Sequence, residues 1–461
     1  MPTSAAIASS TIGDKRPVSG PSARDFLLAL FRYLDATGTR YCVLHSWDNL
    51  PEELPSDLDI GVHPEDRAAL AGTIRHLGED GFSPIQLINH NVNGFYFVFC
   101  WESAQGLRTA AVDVIFEHRR GGLIADDGAK LTANRERCGE FWVASPPVEF
   151  GYLLLKKAVK GKVKPEQVAR LQRLAQTLGR VRAEEIAGEL FSARWSKRIV
   201  SACMDGSLPT LLSKIKSQIW KTAVTRKPLD LGRYLAGDTV RWVRRWMRPN
   251  GLFVAILGPD GAGKSSAIAG LHAQIGGAFW EERYFHLRPQ VLAPRKSAAP
   301  VTNPHAMAVR GSFRSSLQLT ALLADYFLGY AGLLRQLKPR SCLLVFDRYF
   351  HDVLVDPKRF RYGGPVWLAR LYAKLVPEPD LLVVLDVDLE SILARKVEVP
   401  VEEVNRQRET YRRLPVAGNQ LRIVSANGSR EEVAHQLASQ ITGFMSARFR
   451  KMYPEWIGAN Q

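Results

Sequence analysis

Apolar and polar positions follow two different spacings along this chain of 461 residues. Apolar side chains at helical spacing from Phe26 to Leu34, followed by Gly38, predict a helix that begins at Ser22. The same spacing predicts helices at residues 149–159, 165–178, 211–225, 232–247, 315–337, 388–396 and 430–445. Short apolar runs predict strands at residues 41–44, 58–62, 95–101, 111–116, 252–257, 283–289, 341–346, 380–386 and 422–424.

The order of these elements and the length of the chain predict an α/β protein with more than one domain. Residues 1–21 are rich in Ser, Ala, Thr and Pro, so we expect a disordered tail rather than a signal peptide. Residues 22–190 form the predicted N-terminal α+β domain, and residues 191–249 a helical connector. Residues 250–461, where strands alternate with helices, form the predicted C-terminal domain with a parallel sheet flanked by helices.

The composition is that of a folded, cytoplasmic protein. Hydrophobic residues make up 46% of the chain and charged residues 23%. The five cysteines are scattered without CxxC spacing, so we expect reduced thiols and no zinc site. No uninterrupted apolar run approaches the roughly 18 residues needed to span a bilayer.

Positive charge is concentrated in the predicted connector. Net charge is +16, and residues 151–250 alone carry 22 Lys and Arg against 7 Asp and Glu. Interleaved with Trp220, Trp242 and Trp246, these charges suit an anionic membrane surface. Two other interpretations stay open. The tryptophans pack the connector against its own domains beneath a solvated basic face, or the connector binds nucleic acid, the least favoured partner because no recognition signature is present.

A glycine-rich loop separates the predicted strand at 252–257 from a helix-compatible segment. Its sequence GPDGAGKSS comprises Gly258, Pro259, Asp260, Gly261, Ala262, Gly263, Lys264, Ser265 and Ser266. Between a strand and a helix this spacing is the P-loop pattern, in which glycines let the backbone wrap a polyphosphate. Lys264 would reach the β- and γ-phosphates, and the Ser265 hydroxyl would bind Mg²⁺. The sequence therefore predicts an ATP and Mg²⁺ site.

A second motif, Asp347-Arg348-Tyr349, follows directly on the buried strand predicted at 341–346. Ligands of open α/β sheets bind at the carboxyl ends of the strands. Asp347 could orient a magnesium-bound water or an acceptor hydroxyl, and Arg348 could neutralise a phosphoryl oxygen. A strand-end salt bridge is the structural alternative.

Together, GPDGAGKSS, FDRY, PDLLVVLDVDLESILARK and the arginine-rich segment 396–413 resemble thymidylate kinases and their relatives, over about residues 251–448. The resemblance implies a loop acid at Asp260, phosphate and magnesium contacts at Lys264 and Ser265, an acceptor-side pair at Asp347 and Arg348, and a lid that starts at Arg395. After FDRY the chain runs FHDVLVDPKRFRYGGP, without the segment that reads thymine in that family. Thymidylate is therefore not the expected acceptor.

Acidic residues mark a second candidate site in the N-terminal part. Asp57 and Asp59, at i and i+2 on an extended segment, point to one face and can share a divalent metal. Asp113 interrupts the apolar strand 111–116, and Ser46 precedes Asp57 by eleven residues. Residues 22–188 thus resemble the nucleotidyltransferase superfamily, although His45 stands where that family usually has Gly. An active transferase, a binding-only relative and a structural triad stay open.

We therefore predict ATP-dependent phosphoryl transfer to a nucleoside monophosphate or a phosphorylated sugar, carried by Lys264, Asp347, Arg348 and Arg395. Metal-dependent nucleotidyl transfer by Asp57, Asp59 and Asp113 is a second predicted activity. The combination resembles bacterial proteins associated with surface-polysaccharide synthesis, which implies a cytoplasmic location, at the inner membrane face if the connector binds lipid. A homodimer is a further hypothesis. The rival prediction is a nucleotide-gated binding or regulatory protein without turnover.

Overall fold

The computed structural model describes residues 20–292, 307–390, 401–414 and 421–458. Its helices are α1 (Ala23–Ala36), α2 (Arg67–Glu79), α3 (Gly128–Thr132), α4 (Pro146–Lys160), α5 (Pro165–Leu190), α6 (Ala193–Met204), α7 (Leu212–Arg226), α8 (Pro228–Met247), α9 (Lys264–Ile275), α10 (Ser312–Gly329), α11 (Arg335–Leu337), α12 (Asp352–Val355), α13 (Val366–Leu375), α14 (Val401–Arg412) and α15 (Arg430–Met452). Its strands are β1 (Tyr41–Val43), β2 (Leu58–Val62), β3 (Ser83–Asn91), β4 (Gly94–Ser103), β5 (Gly106–Ile115), β6 (Glu117–Arg120), β7 (Leu123–Asp127), β8 (Glu136–Cys138), β9 (Phe141–Val143), β10 (Leu252–Leu257), β11 (Glu281–His286), β12 (Cys342–Asp347), β13 (Leu381–Asp386) and β14 (Leu421–Ser425).

The N-terminal sheet has seven strands in the order β3-β4-β5-β2-β1-β9-β8. β2 pairs with β5, and β1 with β9, in parallel, while the other neighbours are antiparallel. α1 begins where the Ser22 hydroxyl accepts a hydrogen bond from the backbone N–H of Asp25. Apolar residues of α1 and α2, such as Phe26 and Ile74, share a core with Phe97 of β4. The sheet thus places the ends of β2 and β5 side by side.

The C-terminal sheet has five parallel strands in the order β11-β12-β10-β13-β14. The predicted parallel sheet flanked by helices is confirmed, and the protein is a mixed α/β structure. Residues of β10 alternate between two cores. Val254 packs with Leu271 of α9 on one side, while Phe253 packs with Leu319 of α10 on the other. Helices cover both faces of this sheet, which explains why the sequences of the central strands β10 and β12 are almost entirely apolar.

Helices α4 to α8 form the helical part that joins the two sheets. α5 runs past the predicted end at residue 178, but Gly179 has a positive φ of 72° and kinks it. Leu154 of α4, Leu171 of α5 and Ile215 of α7 share one apolar core. The predicted connector is therefore packed helix for much of its length.

The two sheets are also packed together directly. Phe449 of α15 and Trp456 beyond it belong to the core of the N-terminal sheet. The side-chain nitrogen of Gln86 in β3 donates to the carbonyl of Ala278 at 2.9 Å. The Ser341 hydroxyl donates to the side-chain oxygen of Gln86 at 2.8 Å. Residues far apart in the sequence thus build a continuous interface between the sheets.

The basic connector presents only part of its charge to solvent. Trp220, Trp242 and Trp246 are exposed by 50%, 37% and 44%. Arg245 in the same helix as Trp242 is only 5% exposed, and Arg241 pairs with Asp238 at 2.7 Å. Membrane association of the connector therefore stays a prediction, and Arg245 is not one of the side chains that could reach a lipid surface.

One helical stretch among the described residues, Ser312–Arg340, is long and apolar enough to cross a membrane by length and composition. It contains the fully buried Asp325, whose carboxylate accepts hydrogen bonds from the backbone N–H groups of Gln290 and Leu292. Tyr326 next to it donates to the carbonyl of Leu287. These contacts are those of a helix that packs against the parallel sheet.

Candidate active site

The glycine-rich loop lies at the carboxyl end of β10, the central strand of the parallel sheet, and leads directly into α9. Gly258, Gly261 and Gly263 have φ angles of 145°, 84° and 77°, which L side chains rarely adopt. A Cβ on Gly258 would lie 2.7 Å from the carbonyl oxygen of Leu385 on β13. The loop therefore turns tightly between two strands and leaves the backbone N–H groups at the start of α9 available for an anion.

Lys264, the first residue of α9, folds back over the loop. Its Nζ donates to the carbonyl oxygens of Gly258 and Pro259, each at 2.8 Å, and the side chain is 7% exposed. Burial, together with the positive charge of Arg348, lowers the pKa of Lys264 to about 7. A buried lysine whose ammonium donates to neutral carbonyls is suited to receive a ligand with negative charge.

Asp347 ends β12, the strand beside β10, so it lies at the same edge of the sheet as the loop. The Tyr284 hydroxyl donates to its Oδ2 at 2.9 Å, while its buried Oδ1 has no hydrogen-bond partner among the described residues. Burial opposes its ionisation, but hydrogen bonds from His286 and Tyr284 and the charge of Lys264 outweigh this and lower its pKa. Asp347 is thus an ionised carboxylate with one free acceptor oxygen.

Arg348 connects this strand end to the loop. It has a positive φ of 75°, and its backbone N–H donates to the carbonyl of Ile256 at 3.0 Å. Its guanidinium donates to the carboxylate of Asp260, which also pairs with Arg359. Asp260, Arg348 and the loop therefore converge as the sequence pattern implied, and Arg359 is a contact that the pattern did not single out.

A buried acid behind the loop was also missed from the sequence. Asp352 in α12 is fully buried, and the Tyr411 hydroxyl of α14 donates to it at 2.7 Å. The same hydroxyl lies 3.4 Å from the carbonyl of Gly258. Burial raises the pKa of Asp352. Tyr411 thereby links the arginine-rich helix α14 to the glycine-rich loop.

The arginines predicted to act on a lid are only partly placed. Arg408 and Arg412 of α14 both pair with Asp386 at the end of β13, the former through its Nε at 2.9 Å. These hydrogen bonds lower the pKa of Asp386 against the opposing effect of its burial. Arg395 and most of the helix predicted at 388–396 lie outside the described residues. Arg408 and Arg412 therefore border the strand next to the loop.

A cavity of about 340 Å³ adjoins the outer side of the loop. Its walls are Gly261, Gly263 and Ser266 on one side and the segment 426–433 between β14 and α15 on the other. This volume lies within the range of small-ligand sites. It provides space for a small ligand beside the loop.

Asp59 and Asp113 lie on the neighbouring parallel strands β2 and β5 and are direct register partners, so their side chains share one face. Asp57 precedes β2, and all three carboxylates contribute to raising the pKa of Tyr96, although burial of its hydroxyl is the larger cause. Asp59 and Asp113 are therefore brought to one face of the sheet, whereas Asp57 lies in the bend before β2, outside the extended segment that the sequence spacing predicted.

Asp59 is nevertheless already neutralised by other groups. Lys156 of α4 places its Nζ 2.7 Å from both carboxylate oxygens, Tyr152 donates to Oδ1 at 2.7 Å, and His45 lies 3.0 Å from Oδ2. Burial alone would raise the pKa of Asp59, but the charge of Lys156 and the interaction with His45 hold it well below its usual range. Lys156 was missed in the sequence, although a lysine within the apolar run YLLLKKAV is the same signal that identified Asp113.

Asp113 keeps an unsatisfied oxygen. His90 lies 3.0 Å from the Oδ2 of Asp113, whereas the buried Oδ1 has no hydrogen-bond partner in the part of the chain that the structure describes. Within the part of the chain that the structure describes, no group of three or more His, Cys, Asp or Glu is placed to hold a metal ion. The metal role of Asp57, Asp59 and Asp113 therefore stays a prediction, and it requires Lys156 to move away from Asp59.

No protein-family model and no curated protein matches this sequence.

Proposed function

We propose that the C-terminal part of the protein binds ATP with Mg²⁺ and transfers a phosphoryl group to a small acceptor. The observation that carries this proposal is the meeting of three features at one edge of a parallel sheet. These features are the glycine-rich loop after β10, the buried Lys264 that begins α9, and the Asp347-Arg348 pair at the end of β12. Phosphoryl transfer needs mainly positioning and charge stabilisation, which such a set supplies.

Each side chain has a task that follows from its position. Backbone N–H groups at the start of α9 would hold phosphate oxygens, and Lys264 would exchange its two carbonyl acceptors for them. Ser265, exposed on the first turn of α9, would hold the Mg²⁺, which neutralises charge on the phosphates when bound. The free Oδ1 of Asp347 would accept a hydrogen bond from the acceptor hydroxyl.

The acceptor proposed is a nucleoside monophosphate or a phosphorylated sugar. Arg348 and Arg359 both lie against Asp260, so two guanidinium groups face the loop from the acceptor side. Guanidinium groups bind phosphate in a bidentate manner, which suits an acceptor that already carries one phosphate. The cavity beside Gly261 and Ser266 would be left for the nucleoside of ATP.

The test is an ATP-consumption screen of the full chain against nucleoside monophosphates and phosphorylated sugars, with products identified by mass spectrometry. We expect Lys264→Ala to keep the fold and to lower acceptor-dependent turnover by about 100-fold or more, the scale found when one preorganised charge-stabilising donor is removed. Lys374→Ala, at an exposed lysine of α13, is the matched control and should retain activity. Wild-type turnover in Lys264→Ala would overturn the proposal.

The rival function, nucleotide-gated binding without turnover, is separated by the same screen. It requires ATP to bind in the wild type with no acceptor-dependent consumption for any compound tested. For the N-terminal part, metal-dependent nucleotidyl transfer by Asp57, Asp59 and Asp113 is a secondary proposal, supported by the shared face of Asp59 and Asp113. A role in surface-polysaccharide synthesis would follow if the acceptor is a sugar phosphate.

A further inference from the structure

A second cavity, of about 410 Å³, lies where the three parts of the chain meet. Its walls come from α2 and the N-terminal sheet, from the last turn of α8, and from the segment after α15. It is lined by four arginines, Arg67, Arg244, Arg245 and Arg248, and by one acid, Glu455. This cavity is separate from the cavity beside the glycine-rich loop, since the two cavities share no lining residue.

The four arginines are not balanced by protein carboxylates. Within the described part of the chain none of them forms an ion pair, although Glu455 lies near enough to Arg67 to oppose the lowering of its pKa by burial. Arg248 donates one hydrogen bond to the carbonyl oxygen of Met452 at 3.1 Å. Like charges gathered around one cavity repel each other unless a ligand neutralises them. The cavity is thus built for negative charge.

Arg245 is the most informative member of the set. It is 5% exposed, and its buried Nε and one terminal nitrogen have no hydrogen-bond partner in the described structure. Its guanidinium lies 5.6 Å from the ring centre of Trp242 and 5.1 Å from that of Trp280, which holds it in place. A buried cation with unused donors is costly, so it indicates a partner that arrives from outside the chain.

Aromatic rings give the cavity a rigid wall. The guanidinium of Arg67 lies 4.7 Å from the ring centre of Phe95 and 5.2 Å from that of Trp456. Trp456 is 1% exposed, and its Nε1 is a further buried donor without a partner in the described structure. The side chains of Arg67, Arg245 and Trp456 therefore line one space of ligand size.

We propose that this cavity binds a small phosphorylated compound with at least two negative charges. Guanidinium groups pair with phosphate through two parallel hydrogen bonds, and four of them exceed the need of a single carboxylate. The bound compound would contact all three parts of the chain at once. Its binding would therefore stabilise their mutual packing.

The first experiment uses inorganic pyrophosphate as the probe and the full chain that carries Lys264→Ala, in which the P-loop lysine cannot contribute. Pyrophosphate is titrated at constant ionic strength while thermal unfolding and binding heat are recorded. We expect a rise in melting temperature and saturable binding of one pyrophosphate per chain. The proposal would be overturned if pyrophosphate raised the melting temperature no more than chloride added at the same total negative charge.

The second experiment places Arg67→Met and Arg244→Met separately in the same Lys264→Ala chain. Each should weaken pyrophosphate binding about tenfold or more, because each removes charge-assisted hydrogen bonds. Each should also leave the melting temperature without pyrophosphate unchanged or higher, since repulsion among the arginines falls. Replacement of an arginine with only a structural role would instead lower this melting temperature. Arg233→Met, an exposed arginine of α8 outside the cavity, is the matched control. Unchanged affinity in both cavity variants would overturn the proposal.

Discussion

The Nζ of Lys156 lies 2.7 Å from each carboxylate oxygen of Asp59, in the interior of the N-terminal sheet. Asp59 is 1% exposed, and Lys156 is 8% exposed. This ion pair engages both oxygens of a carboxylate that the sequence analysis predicted to bind a metal. Its energetic consequences can be measured.

Lys156→Met should lower the free energy of unfolding by about 3–5 kcal/mol, because it leaves the buried Asp59 without its main counter-charge. Lys157→Met is the matched control. Lys157 is 5% exposed, and burial lowers its pKa to about 8, so its removal should be neutral or stabilising. Urea unfolding of the three proteins makes the comparison, and equal losses in both variants would contradict the role given to the ion pair.

Addition of a divalent metal should distinguish Asp59 paired with Lys156 from Asp59 without this partner. Mg²⁺ or Mn²⁺ should raise the melting temperature of Lys156→Met more than that of the wild type, because only the variant leaves Asp59 free to share a cation with Asp57 and Asp113. The measurement is thermal unfolding with and without metal. The same small change in both proteins would mean that the three acids form no metal site.

Gly258→Ala should destabilise the protein by about 1–3 kcal/mol and remove ATP binding, because its φ is 145° and the new Cβ would lie 2.7 Å from the carbonyl of Leu385. Gly443→Ala is the control in helix α15, where a Cβ meets no atom within 4 Å. That change should instead stabilise by about 0.5–1 kcal/mol. Calorimetry of unfolding and of ATP binding tests both, and retained ATP affinity in Gly258→Ala would contradict the tight turn.

His351 should make the protein sensitive to acid. The ring is 4% exposed with a buried Nδ1 that has no partner in the described structure, and burial lowers its pKa to about 4. The unfolded chain, with a pKa near 6.5, binds this proton first, so stability falls as pH drops from about 6.5 to about 4. The loss attributable to His351 is about 3 kcal/mol at the lower end.

His351→Phe should therefore flatten this acid limb. A slope remains, because burial also holds the pKa of His118 well below its usual value. Denaturant unfolding at pH 4.5, 5.5, 6.5 and 7.5 measures the limb. His272→Phe, at a side chain 70% exposed, is the control and should follow the wild type. An unchanged slope in His351→Phe would show that this ring is protonated in the folded protein.

Vesicle sedimentation tests the connector. If α7 and α8 lie on an anionic surface, binding should be sensitive to salt and should fall in Lys216→Glu, Lys221→Glu and Arg233→Glu combined, since all three are exposed. Arg245 is left out because it is buried. If the protein sedimented equally with neutral and anionic vesicles, or with neither at low salt, the connector would have only a packing role.

Much of the fold was readable from the sequence because its signals are local. The strand-loop-helix order around Gly258 and Lys264, the buried runs of β10, β12 and β13, and the Ser22 cap each depend on a few consecutive residues. Helix ends were less predictable, as Gly179 shows. The apolar spacing predicted an end at residue 178, but α5 continues beyond the kink at Gly179 to Leu190.

By itself the sequence determined the glycine-rich loop and the strand-end pair Asp347 and Arg348, because spacing along one element fixes these. The predicted shared face of Asp57 and Asp59 was not fixed in this way, because β2 begins at Leu58 and leaves Asp57 outside the strand. Only the tertiary structure decided what faces each charge. Lys156 reaches Asp59 across 97 residues, and Arg67 meets the arginines of α8 at a cavity that no local pattern marks. Burial and counter-charge depend on which elements pack together, and these are the quantities that set the charge state of a side chain.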